Sequence, residues 1–99
     1  MLYLVHIHLA PHPMGIPLPL CAAAAVADAS PRDAGVVHVT AHPMGGPNPV
    51  IGVYLRSETL ESAEAAGYTL WRNTVGNLPC MGGWAFLRAE VPLIPQGQW

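Results

Sequence analysis

Apolar and polar residues alternate along Leu2–Leu9. Tyr3, Val5, Ile7 and Leu9 fall on one side of an extended chain, and Leu4, His6 and His8 on the other. A period of two is the mark of a half-buried β-strand. Pro11 and Pro13 cannot donate to a ladder, so residues 10–16 are expected as a loop. Residues 20–29 are rich in alanine, the best helix former, and Ser30-Pro31 stops them, which predicts a short first helix. Alternation returns at residues 36–42, with His38, Thr40 and His42 opposite the aliphatic positions, and again at 50–56, where Ile51, Val53 and Leu55 oppose Gly52, Tyr54 and Arg56. The Gly/Pro/Asn-rich residues 44–49 between these strands suit a hairpin. Leu60, Ala63, Gly67, Leu70 and Thr74 then recur at helical spacing, which predicts an amphipathic helix over 58–75, N-capped by Ser57 and closed by Gly76. Gly82-Gly83 opens a last strand at 84–91, and residues 92–99 form a tail.

The order strand, helix, strand, strand, helix, strand predicts one ferredoxin-like α+β domain over residues 1–99. Both helices then cover one face of a four-stranded antiparallel sheet. Strands three and four flank strand one, and strand two lies at an edge beside strand three. With the aliphatic residues under the helices, the opposite face carries His6, His8, His38, Thr40, His42, Tyr54, Arg56, Trp84, Phe86, Arg88 and Glu90. Such half-apolar side chains, able to hydrogen-bond, suit an interface or a ligand pocket better than open solvent.

Composition sharpens this expectation. Only 10% of the 99 residues are charged, against about 25% in an average soluble domain. There is no lysine, as expected of a GC-rich bacterial genome. So few charges cannot coat a small monomer, which points to a homodimer that covers part of the apolar surface. No run of about 18 apolar residues is free of proline and glycine, so a membrane span is not expected. A net charge of −2 gives no general attraction to phosphate backbones, which argues against nucleic acid. The first residues hold no Lys or Arg, and prolines break the segment ahead of the A-x-A-like Ala27-Asp28-Ala29, which favours a cytoplasmic protein over a secreted one. Cys21 and Cys80 have no metal-motif spacing and are expected as free, buried thiols.

Ser62-Ala63-Glu64-Ala65, Leu70, Asn77-Leu78-Pro79, and the stretch from Trp84 to Glu90-Val91-Pro92-Leu93 and Pro95 resemble the C-terminal half of muconolactone isomerase-like proteins; Met1-Leu2-Tyr3-Leu4-Val5 is similar to their first strand. The resemblance covers about half the chain. It implies subunits paired sheet to sheet as a dimeric α+β barrel, whose interior would be the histidine-rich face. It also implies a cofactor-independent isomerase, cyclase or oxygenase acting on a hydrophobic small molecule. The alanine- and proline-rich first helix and the two His-Pro-Met-Gly stretches, at 12–15 and 42–45, depart from the family's pattern, so no catalytic residue is carried over.

On the residues alone, His38, His8 and His6 are the candidate acid–base groups, since imidazole titrates near neutrality. Tyr54 stands beside His38, and Glu90 is placed to orient or neutralise Arg88 or a histidine. Arg56, Trp84, Phe86, Arg88, Glu90 and His42 would bind substrate. A zinc or copper site drawing on the histidines and Met14 or Met44 is the third reading. It is disfavoured because strands one and two, separated by strand three, lie about 9–10 Å apart. A non-catalytic face filled by partner side chains is the remaining alternative.

Overall fold

A computed structural model describes residues 1–31, 35–42 and 48–91, with His42 described by its backbone alone. The elements are β1 (Leu2–Leu9), α1 (Ala22–Ala29), β2 (Val36–His42), β3 (Val50–Arg56), α2 (Leu60–Asn77), a 3-10 turn at Pro79–Gly83 and β4 (Phe86–Glu90). They form one antiparallel sheet in the order β2-β3-β1-β4. This is the ferredoxin-like α+β arrangement, with the strand order that the sequence of elements predicts. Pro43 to Pro47, including most of the second His-Pro-Met-Gly stretch and of the expected hairpin, lie outside the described residues, as does the tail from Pro92.

The core lies between sheet and helices. Val5, Ile7, Leu9, Ile51, Val53 and Leu55 are all buried there. The first helix contributes Ala22, Val26 and Ala29, one face at a spacing of four and three residues. The second contributes Ala63, Gly67, Leu70, Trp71 and Thr74. Gly67 marks a close approach of α2 to the sheet, since a Cβ there would lie 3.0 Å from Val5 and 3.1 Å from Ala89. The buried Thr74 hydroxyl donates to the Leu70 carbonyl at 2.8 Å, so it brings no unsatisfied polar group into the core.

Several expected boundaries shift. The N-cap of α2 is Thr59, whose side chain accepts the Ser62 N–H at 3.0 Å; Ser57 precedes it and donates to the Thr59 carbonyl. The helix runs through Gly76 to Asn77. Gly82 and Gly83 belong to the 3-10 turn rather than to the start of a strand. Cys21 and Cys80 are both exposed free thiols, not buried ones, because they sit at the N-cap of α1 and within the 3-10 turn.

His12-Pro13-Met14-Gly15 is a closed turn. The Gly15 N–H donates to the His12 carbonyl at 2.9 Å, and the Met14 N–H donates to His12 Nδ1 at 3.0 Å. Gly15 takes the left-handed φ of 72°, which glycine adopts without a steric penalty. The His12 ring packs edge-on against Trp84, centroids 4.8 Å apart, in space left by Gly83, where a Cβ would come within 2.5 Å of the imidazole.

Candidate functional site

The face of the sheet turned away from the helices is set by strand register. His38 pairs with Tyr54, and Tyr54 with Leu4. The next row is Thr40, Gly52, His6 and Glu90, and the one after it His42, Val50, His8 and Arg88. Side chains on neighbouring strands in one row are direct cross-strand neighbours. Two polar groups therefore lie at opposite sides of the sheet, with Leu4, Gly52 and Val50 between them.

The first group is His38 and Tyr54, ring centroids 6.3 Å apart and tilted by 36°, within the range of favourable aromatic packing. His38 is exposed and Tyr54 half-buried. Arg56, at the end of β3, is exposed and pairs with Leu2.

The second group joins β1 to β4. His8 Nε2 lies 2.9 Å from Glu90 Oε1, and Arg88 Nε lies 3.4 Å from the same oxygen. His6 packs edge-to-face on His8 at 6.0 Å. His8 Nε2 is shielded from solvent, yet its approach to Glu90 falls short of hydrogen-bond geometry. The contact is thus a close approach that a small rotation of either side chain would turn into a directed bond. Unliganded sites often hold a base and its orienting partner in such loose alignment. The sequence marks Glu90 as a partner for Arg88 or a histidine; the register supplies the further fact that one oxygen serves both.

Trp84 and Phe86 do not join this face. The register slips between His8 and Leu9, so that His8 pairs with Arg88 but Leu9 with Phe86. Leu87 is the extra residue of this bulge, and it reverses the alternation. Phe86 consequently points to the helix side, where it packs edge-to-face on Tyr68 of α2 at 4.9 Å. Trp84 is buried in the core. Both are corrected from the expected substrate-binding face to the helix side. His42 reaches the expected row by its backbone, and its side chain lies outside the described residues. Leu4, Gly52 and Val50 form the floor between the two polar groups; strict alternation carries them to this face, but nothing polar draws attention to them.

A cavity of about 220 Å³ between Pro31, Val36, Leu55 and the Ala66–Leu70–Asn73 side of α2 sits on the helix side, away from this face. Its described wall carries no ionisable group, so it offers packing without acid–base chemistry. Among the described residues no three His, Cys, Asp or Glu side chains stand close enough to hold a metal ion, and no helix is long and apolar enough to cross a membrane. Comparison with protein-family models, curated proteins and solved structures finds no match for the chain.

Proposed function

We propose that the open face is the ligand surface of a homodimer paired sheet to sheet, as the muconolactone isomerase-like resemblance implies. It encloses a hydrophobic small molecule, and the chain is a cofactor-independent enzyme of the isomerase, cyclase or oxygenase kind. His8 is the acid–base group and Glu90 orients it. Arg88 and Arg56 meet polar groups of the ligand, while Leu4, Gly52 and Val50 floor the site. His38 and Tyr54 form the opposite wall.

The observation that carries this reading is the His8–Glu90 contact of 2.9 Å on a face that also carries the half-buried Leu4, His6, Val50 and Tyr54. Pairing through the face is supported at the edges too. Both edge strands are bulged, β2 at Val37 and β4 at Leu87, and bulges discourage edge-to-edge pairing. A second reading, a face that only binds its partner, draws on the half-buried apolar Leu4 and Val50.

One experiment separates them. Aromatic and polyketide-like small molecules are screened by protein-observed NMR against wild type and His8→Gln. A ligand that shifts His8 and its strand neighbours in wild type, and is lost in the folded variant, supports the enzyme reading. Absence of any wild-type ligand, with a dimer weakened by the substitution, supports the interaction surface.

A further inference from the structure

On the reading that the open face binds ligand, we propose that Arg88, Glu90 and His8 form a proton-gated anion site, in which capture of an anion by Arg88 and uptake of a proton by His8 favour one another. One carboxylate oxygen, Glu90 Oε1, is shared between His8 Nε2 at 2.9 Å and Arg88 Nε at 3.4 Å. With His8 neutral, the charges of Arg88 and Glu90 cancel, and an anion meets no net attraction. When His8 takes a proton from solvent, the group becomes net positive.

Arg88 is also the direct cross-strand partner of His8, so its charge opposes an imidazolium there. An anion seated on Arg88 offsets that repulsion and releases Glu90 to pair with His8. Both effects have the same sign. Among the described residues, the other groups facing His8 leave the sign intact. His6, packed edge-to-face on it from its own strand, carries no negative charge in either protonation state, and Val50, its partner on β3, carries no charge. Arg88 keeps more than half of its side chain exposed and Glu90 nearly half, so an incoming anion can reach the guanidinium.

Linkage makes the coupling reciprocal: the anion must hold the proton on His8 as strongly as the proton holds the anion. The sign follows for pH. Affinity is highest where His8 is protonated and falls as pH rises through its titration.

The test titrates the full chain with benzoate, and with benzamide as its uncharged counterpart, while the His8 Cε1–H resonance is followed by NMR. Benzoate is expected to bind about fivefold or more tightly at about pH 5.5 than at about pH 8.5, with His8 keeping its proton to higher pH in its presence. Benzamide binding should change little. Glu90→Gln should bind benzoate at high pH and flatten the dependence, because the site is then positive throughout; Arg88→Gln should lose benzoate at every pH. If wild type binds benzoate equally at both pH values, or leaves the His8 titration unmoved, the coupling is wrong. Binding of benzamide at the face would in that case leave the ligand-surface reading standing. If neither compound binds, both fall.

Discussion

The two faces of one sheet differ in what they bury. Val5, Ile7 and Leu9 alternate along β1 with Leu4, His6 and His8, yet the first set is fully buried and the second only partly so. On β3, Ile51, Val53 and Leu55 are buried under the helices while Tyr54 and Arg56 look the other way. The helix side is packed by aliphatic and aromatic contacts made within the chain itself. The open side gathers imidazoles, a shared carboxylate and a guanidinium, groups that add little to the stability of a single chain. Stability is thus concentrated on one face, which leaves the other free to carry chemistry.

The largest effect expected from breaking that division is on the helix side. Ile51→Ala should cost about 2–5 kcal/mol, because a fully buried side chain leaves a cavity in a small domain. Urea denaturation measures it; a loss below that range would mean that the core is loosely packed. Gly67→Val should be next. The added side chain has Val5 and Ala89 at 3.0 and 3.1 Å from its first carbon, and overpacking of this kind costs about 1–3 kcal/mol. An unchanged denaturation midpoint would mean that α2 is free to lift from the sheet.

On the open face the effect on the fold should be smallest. His38 is exposed and touches Tyr54 at ring distance, so His38→Ala should change monomer stability by no more than about 0.5 kcal/mol. If it weakens self-association instead, read as a rise in the protein concentration needed for dimer in sedimentation, the contrast between the faces is sharpened. A loss of fold stability as large as that of Ile51→Ala would erase it.

Much of this architecture is legible in the sequence. Alternation assigns faces on β1, on β3 and on β2 from His38 onward, while the bulge at Val37 turns Val36 to the helix side; helical spacing finds α2, and the order of elements leads to the strand order. What alternation does not carry is a bulge. The extra residue at Leu87 costs no change in composition and has no signature among apolar neighbours, yet it moves Phe86 to the other face. The cap of α2 is ambiguous for a similar reason. Ser57 and Thr59 both bear a hydroxyl, and only backbone geometry decides that Thr59 receives the Ser62 N–H. Pro79–Gly83 reads as a turn from its glycines, but the burial of Met81 within it depends on where the turn docks. Apart from Trp84 and Phe86, which lie on the helix side, the described residues of the open face are legible in the sequence; the sharing of Glu90 between His8 and Arg88 needs the register that the bulge sets.

In the proposed homodimer the open face packs against a second copy of the chain. The most direct test is light scattering coupled to size exclusion at micromolar concentration, with the untagged chain of 10.5 kDa. A homodimer of closed symmetry gives about twice that mass. A stable species at the mass of a single chain would contradict it.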